Sequence, residues 1–334
     1  MTWQERRIVA VLSTILALLF AALLIVLGIR YRETRDKPEE LPVAPGETVE
    51  QAAYTALQYS NGSTTLSFSR NDQGLWEWSD DPDFPLEPST ITAITDCLSD
   101  WKPQQTITDS AIPEDSGLDE PHAFLQATTP TGLITIQFGK TTTDGTSYYV
   151  RLNKNSETAY IIDDDLYQLM CVPIYDMCEI PRLPALQEQQ LQSIVITAPA
   201  AEDGTAGIST VITAQRAEDD PENISWRSSG ANVSDDPRVR ALVEDLCVLS
   251  FERCILYRPS DEAAAICGLD NPTKLMVAYT TEAGSDASFD LRIGAQLPDA
   301  SGRYVCLGED PIVYFLPTAV LDPLMPLSVT GLEA

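Results

Sequence analysis

The sequence predicts an α+β chain in which an N-terminal transmembrane helix is followed by two tandem, homologous, mainly antiparallel β modules, each with one main helix and a short terminal helix. Three observations predict this class: a charge-free run of 22 residues, an apolar pattern that repeats 148 residues later, and short alternating segments in each copy. The predicted boundaries are a tail at 1–7, a span at 8–29, a linker at 30–53, a first module at 54–180, a linker at 181–192 and a second module at 193–328.

The charge-free run is Ile8–Ile29. As a helix it is roughly 33 Å long, which exceeds a hydrocarbon core of about 30 Å. A cleaved signal peptide has a shorter apolar core followed by small residues, whereas this run meets Arg30. The run therefore predicts a single-pass anchor, and the proline-containing, charged segment 30–53 predicts a tether. Basic residues flank the span on both sides, and their count alone favours a cytoplasmic C-terminal side.

The charge of the chain restricts its partners. The formal net charge is −29, from 50 acidic and 21 basic residues. A surface this acidic repels phosphate backbones, and the counterion release that drives nucleic-acid binding has no basic patch to supply it. We therefore expect no nucleic-acid partner.

The internal repeat begins with the main helix of each module. Ile91, Ile94 and Leu98 form an apolar helical stripe, and residues with the same spacing follow 148 positions later. Trp78 and Trp226 share this offset. Further along the chain the offset becomes 155, where YVRL at 149–152 matches YVCL at 304–307. Such drift is what loop insertions produce in a duplicated module.

Alternating segments around the helices predict the strands. In the first module they are Leu57–Tyr59, Thr64–Arg70, Leu75–Ser79, Ala123–Thr128, Leu133–Phe138, Tyr148–Asn153 and Thr158–Ile162. In the second module they are Ser193–Thr197, Ile208–Arg216, Ile224–Arg227, Lys274–Tyr279, Phe289–Ile293, Arg303–Leu307 and Ile312–Leu316. The predicted terminal helices are Asp165–Cys171 and Thr318–Leu324.

A five-residue motif recurs after each main helix. It is GLDEP at Gly117–Pro121 and GLDNP at Gly268–Pro272. We interpret it as a structural corner: the glycine ends a helical turn in the left-handed region, the leucine packs back, the aspartate forms an Asx-type turn and the proline starts a strand. A catalytic loop is the weaker interpretation, because one aspartate offers no nucleophile or base partner. The repeat signature comprises Trp78, Gly117, Leu118, Asp119, Pro121, Trp226, Gly268, Leu269, Asp270 and Pro272.

Other candidates for chemistry favour structural roles. The single histidine, His122, has no ligand cluster at metal-binding spacing, and the acidic run Asp163–Asp165 opens a helix that it can cap. Trp76 and Trp78 could stack on sugars, but apolar residues recur at the equivalent sites, which favours core packing. Seven cysteines without a CxxC pair favour buried thiols and leave one disulfide open. We therefore predict a non-enzymatic protein without cofactor or metal.

Across residues 54–327 the chain resembles a bacterial family catalogued as domain of unknown function 4340, present as two copies. The motifs that carry the resemblance in the first copy are Trp78, Ile91–Trp101, GLDEP, IQFGK, YYVRL and AYII. Those in the second copy are Trp226, Val239–Leu249, GLDNP, LRIGA, YVCL and VYFL. Ala295 stands where the first copy has Lys140, so this lysine is not a required group.

The resemblance implies an extracytoplasmic accessory or scaffold protein of the cell envelope. Its partner would be a membrane or envelope protein, such as the permease or ATPase of an ATP-driven (ABC-type) export system, and no catalytic residue carries over. This implication outweighs the flanking charges in placing the C-terminal region outside the cytoplasm. An extracytoplasmic binding module for a cell-wall polymer or a cation is the alternative, and a hydrolase is the third hypothesis.

Overall fold

The computed structural model describes residues 54–130, 132–201, 203–217, 223–321 and 323–332. These residues form 17 strands and six α-helices. The predicted α+β class is wrong, because the described chain is β-rich: its helices have between 4 and 11 residues, whereas two large antiparallel sheets form the framework. Each predicted apolar stripe corresponds to one three-turn helix of 11 residues.

The predicted tail 1–7, membrane span 8–29 and linker 30–53 lie outside the described residues. Within the described ranges, no helix combines the length and the apolar character needed to cross a membrane. The observed architecture therefore consists of the sheets and their short helices.

The chain divides into two compact units. Unit 1 contains residues 54–82 and 90–171, and unit 2 contains residues 83–89 and 172–332. The predicted modules, 54–180 and 193–328, differ from this division because the segments 83–89 and 172–180 both lie in unit 2.

Unit 1 is built on an eight-stranded antiparallel sheet with the order β3-β2-β1-β5-β6-β7-β8-β4. Its strands are β1 (Ala56–Ser60), β2 (Thr65–Arg70), β3 (Trp76–Trp78), β4 (Gln105–Thr108), β5 (Ala123–Thr129), β6 (Gly132–Thr141), β7 (Ser147–Leu152) and β8 (Thr158–Asp163). The β1–β2 hairpin turns at Asn61-Gly62, where the Asn61 side chain accepts hydrogen bonds from the amides of Ser63 and Thr64, both at 2.9 Å. Its helices are α1 (Ser89–Ser99) and α2 (Asp165–Met170).

Unit 2 has a nine-stranded antiparallel sheet with the order β12-β11-β10-β9-β14-β15-β16-β17-β13. Its strands are β9 (Leu191–Thr197), β10 (Ser209–Arg216), β11 (Ile224–Ser228), β12 (Ala231–Asn232), β13 (Arg253–Leu256), β14 (Thr273–Thr280), β15 (Asp286–Gln296), β16 (Gly302–Leu307) and β17 (Val313–Pro317). Its helices are α3 (Pro237–Cys247), α4 (Asp261–Ile266), α5 (Thr318–Leu321) and α6 (Leu324–Thr330).

Apart from the short β12, the two sheets have the same strand order. In both, the side chains of the central strands alternate between a buried face and a more accessible face. Leu125 and Ala127 of β5 are buried, as are Leu275 and Val277 of β14, while the intervening residues are half-buried or exposed. This alternation is the period-2 pattern of a strand with one face in the core.

The segment 83–89 is tied to other parts of unit 2 by backbone and ring contacts. The Glu87 amide donates to the Met177 carbonyl at 2.8 Å, and the Glu179 amide donates to the Pro85 carbonyl at 2.7 Å. The Phe84 ring meets the Tyr257 ring edge-on, with centroids 4.9 Å apart. These contacts bring 83–89, the residues around Cys178 and the chain following β13 together inside unit 2.

Candidate functional site

The corner of unit 1 is a close approach of two backbones. Gly117 has a φ of 73°, and a Cβ atom there would lie 3.1 Å from the amide nitrogen of Lys140. Gly139 on β6 allows the approach, because a Cβ atom there would lie 2.3 Å from the Ser116 carbonyl oxygen. Leu118 is buried and packs with Ile107 and Ala159. The predicted glycine and leucine thus hold the corner against the sheet.

The corner of unit 2 has the same construction. Gly268 follows α4 with a φ of 68°, and the Ala295 amide donates to the Cys267 carbonyl at 2.7 Å. Leu269 packs with Cys267, Cys306 and Val313. Gly294, the counterpart of Gly139, would place a Cβ atom 2.1 Å from the Cys267 carbonyl oxygen.

The aspartates of the corners do not have the predicted role. Asp119 and Asp270 are exposed, and within the described ranges no hydrogen bond to either carboxylate is found. In unit 2 the next residue makes the polar contact instead: the Asn271 side chain accepts from the Ala200 amide at 2.9 Å and donates to the Ala200 carbonyl at 2.7 Å. Pro121 and Pro272 come directly before the strand region, two residues and one residue ahead of β5 and β14.

The tryptophans of the repeat signature belong to the hairpins. Trp226 is buried, and its indole nitrogen donates to the Glu188 carboxylate at 2.9 Å. Trp78 is half-buried opposite Phe68 on β2. The neighbouring Trp76 is buried beneath the Arg70 guanidinium, which lies 4.6 Å from the ring centroid. Both Trp76 and Trp226 are therefore parts of the core, as the recurrence of apolar residues predicted.

The titratable candidates are dispersed. His122 is exposed, with its ring 5.6 Å from that of Tyr167. The acidic run stands at the start of α2, with Asp164 before the helix and Asp165 in its first turn, and Asp164 makes no side-chain capping hydrogen bond. All seven cysteines are free, four of them buried. Among the residues that the structure describes, no group of His, Cys, Asp or Glu side chains could hold a metal ion.

A pocket that the sequence analysis did not single out lies on the accessible face of the unit 1 sheet. Its floor comes from two neighbouring strands, with Phe124 directly opposite Gln137 and Gln126 directly opposite Thr135. The β7–β8 turn, at Lys154, borders it. The cavity has a volume of about 210 Å³.

Two hydrogen bonds from backbone amides hold the β7–β8 turn against this floor. The Asn153 amide donates to the Thr135 carbonyl at 2.7 Å, and the Thr135 amide donates to the Asn153 side-chain oxygen at 2.9 Å. Asn153 and Lys154 both have positive φ angles, 49° and 57°. A tight turn with two left-handed residues fits the twist of an antiparallel hairpin, and it sets Lys154 at the edge of the pocket.

Unit 2 has a pocket in the equivalent place. Its floor is formed by Lys274 opposite Arg292 and Met276 opposite Asp290, and Glu309 borders it from the β16–β17 turn. The Gly308 amide donates to the Asp290 carbonyl at 2.7 Å, as Asn153 does to Thr135. This cavity is larger, with a volume of about 460 Å³.

The two pockets share a position and differ in chemistry. Gln137, Thr135 and Lys154 correspond to Arg292, Asp290 and Glu309, each 155 residues later, which is the offset of the YVxL motifs. The fold therefore places a pocket at this point in both units. The Arg292 guanidinium is fixed by the β16–β17 turn, since it donates to the carbonyls of Gly308 at 2.8 Å and Asp310 at 2.7 Å. The shared offset is the signal by which the sequence could have revealed the pockets.

Comparison with protein families, with characterised proteins and with solved structures finds no match for this chain. The resemblance to domain of unknown function 4340 stays a prediction.

Proposed function

We propose that this chain is a non-enzymatic envelope protein, anchored to the membrane through residues 8–29, whose acidic C-terminal region acts outside the cytoplasm as an accessory or scaffold for a protein partner. The observation that carries the proposal is the pair of β-rich units with the same strand order. In both units the leucine of the recurring GLDxP motif, Leu118 or Leu269, packs in the core, and the motif supplies no reactive group.

The proposed partner class is the permease and ATPase of an ATP-driven export system. This part of the proposal rests on the family resemblance and on the charge-free run of the sequence. The net charge of −29 supports a protein or membrane-protein partner over a nucleic acid, because association with a phosphate backbone is electrostatically unfavourable.

The test is a crosslinked pull-down of the full-length chain from its native membrane in mild detergent, read by mass spectrometry. A fragment of residues 1–53 serves as the control, because it retains the predicted anchor and tether without the two units. We expect a permease and its ATPase to be enriched with the full-length chain over the fragment. Equal recovery with both, or recovery of neither protein, would contradict the proposal.

A second candidate function is that of an extracytoplasmic binding module for a cell-wall polymer or a cation. The pocket of unit 1 favours the polymer, because the buried Thr135 hydroxyl on its floor has no hydrogen-bond partner among the described residues. A ligand that binds the native state raises the melting temperature by mass action. An unchanged melting temperature at saturating polymer fragments would contradict this candidate.

A further inference from the structure

The floor of the unit 1 pocket is a patch of four side chains on two paired strands. Phe124 faces Gln137 across the β5–β6 pair, and Gln126 faces Thr135. Directly opposed residues of an antiparallel pair have Cβ atoms about 5 Å apart. The aromatic ring, the two amides and the hydroxyl therefore lie within the span of one small ring-shaped ligand.

Three polar groups of this floor have no hydrogen-bond partner among the residues that the structure describes. Thr135 is 2 % exposed, and its hydroxyl oxygen is buried without a hydrogen-bond partner. Among the described residues, the side-chain amides of Gln126 and Gln137 also make no hydrogen bond. A buried polar group without a partner costs about 1–3 kcal/mol, and a ligand that reaches the Thr135 hydroxyl recovers this cost.

The chemistry of the floor indicates a neutral, hydroxyl-rich ligand. Each amide both donates and accepts hydrogen bonds, as each sugar hydroxyl does. The half-buried Phe124 ring provides an apolar surface for the C–H face of a sugar ring. The four floor side chains carry no charge, and Lys154 at the edge is the charged group among the described residues that line the pocket.

The volume of the pocket limits the ligand to one ring. Pockets for drug-sized molecules have volumes of about 300–1,000 Å³, and this one has about 210 Å³. It is open to solvent on the sheet face, so neighbouring units of a polymer can continue beyond it. A single sugar unit within a longer chain fits this shape.

We propose that the pocket of unit 1 is a saccharide-binding site that takes one neutral sugar unit of a glycan, with Gln126, Thr135 and Gln137 as hydrogen-bond partners and Phe124 as the stacking surface. The equivalent pocket of unit 2 has Met276, Asp290 and Arg292 at the corresponding positions, and this lining does not offer the same neutral set. The assignment deepens the second candidate function and does not depend on the partner-binding role.

The test is isothermal titration of the full-length protein in detergent with two neutral probes, maltotetraose and the tetrasaccharide of N-acetylglucosamine. A tetrasaccharide of galacturonic acid is the charged control. We expect a neutral probe to bind with a dissociation constant of the order of 1 mM or below and the acidic probe to bind at least about tenfold more weakly. The preferred neutral probe identifies whether the site takes a plain or an N-acetylated sugar.

Matched variants locate the site. Gln126→Ala is expected to weaken binding about 3–10-fold, as the loss of one hydrogen bond predicts, whereas Met276→Ala, at the equivalent position of unit 2, leaves binding unchanged. Thr135→Val has nearly the shape of threonine and removes the unpaired hydroxyl, so it is expected to weaken binding without lowering the melting temperature. A purely structural role of Thr135 would lower the melting temperature instead.

Three results would overturn the assignment: no heat with either neutral probe, preferential binding of the acidic probe, or equal loss of binding in Gln126→Ala and Met276→Ala. The pull-down described above is repeated with Thr135→Val. Unchanged recovery of the protein partner separates a failure of the saccharide site from a failure of the partner-binding role.

Discussion

Cys178 and Cys254 carry neighbouring thiol groups in unit 2, where the 3-10 turn Ile174–Met177 contacts β13. Both residues are buried, with exposed fractions of 4 % and 3 %. The neighbouring Cys254 thiol holds the pKa of Cys178 below its ordinary value. The Cys178 thiol and, after it, burial raise the pKa of Cys254. Burial raises the pKa of Cys267. Burial, together with the nearby Asp310 carboxylate, raises the pKa of Cys306 to about 11 against the opposing effect of Arg292. Cys178 is thus distinguished from the other buried thiols by its neighbour.

We predict that Cys178 and Cys254 form a disulfide when the protein refolds in the presence of oxidised glutathione, because both thiols are accessible in the unfolded chain and adjacent in the folded one. The Cys178 thiolate attacks the glutathione disulfide and releases one glutathione thiol; Cys254 then displaces the second, so the pair loses two electrons and two protons that the glutathione gains. The cross-link between residues 178 and 254 is expected to raise the free energy of unfolding by about 4 kcal/mol. Disulfide formation is measured by thiol titration in denaturant and by peptide mapping. The gain in the free energy of unfolding is measured by urea unfolding with and without reductant.

The control for this prediction is Cys97→Ser, which changes a half-buried cysteine of unit 1 and should leave the stabilisation intact. Cys254→Ser should abolish it. Seven titratable thiols after refolding with oxidised glutathione would contradict the prediction.

We predict that Gly268→Ala destabilises unit 2 more than Gly284→Ala does. Both glycines have positive φ angles, 68° and 78°, so each alanine incurs a conformational cost of about 1–2 kcal/mol. At Gly268 the new Cβ atom would also lie 2.8 Å from the Ala295 nitrogen, while at Gly284 no atom of the described, non-adjacent residues would lie within 4 Å of it. Urea unfolding of the two variants measures the difference, which reports the cost of pushing the corner away from β15. Equal losses in the two variants would show that the corner has room for a side chain.

We predict that Asp236→Ala lowers stability by about 1 kcal/mol at pH 7 and progressively less in acid. The Asp236 carboxylate caps α3 by accepting from the Arg238 amide at 2.8 Å, and its hydrogen bonds to Arg238 hold its pKa below the ordinary 3.8. A carboxyl group whose pKa is lower in the folded state contributes stability that is present above its unfolded pKa. This contribution disappears as the pH falls through the folded pKa.

The measurement is urea unfolding of the wild type and Asp236→Ala between pH 7 and pH 3, and the two curves should converge toward the acid end. Asp235→Ala is the matched control, because Asp235 is exposed and its ion pair with Arg240 is a surface contact. A difference between wild type and Asp236→Ala that stays constant over this range would rule out the carboxylate as its source.

Most strand positions and the left-handed glycines could be predicted from the sequence, because they depend on local rules. An alternating segment such as Ala123–Thr128 becomes β5 with a one-residue extension, since the period-2 pattern is a property of the strand itself. Gly268 follows a short helical segment, and only the absence of a side chain makes its φ of 68° inexpensive. The predicted class was wrong, because the few short helices add little to a framework of 17 strands in two antiparallel sheets.

The sequence by itself therefore determined the repeat, the strand segments and the corner glycines of this protein, through patterns that act over a few neighbouring residues. The tertiary structure alone decided which side chains meet. Phe124 and Gln137 come from β5 and β6, and Lys154 comes from the β7–β8 turn. Cys178 and Cys254 come from distant parts of the chain. Their proximity depends on strand order and register, which arise from the packing of the whole core and leave no mark in any short stretch of sequence.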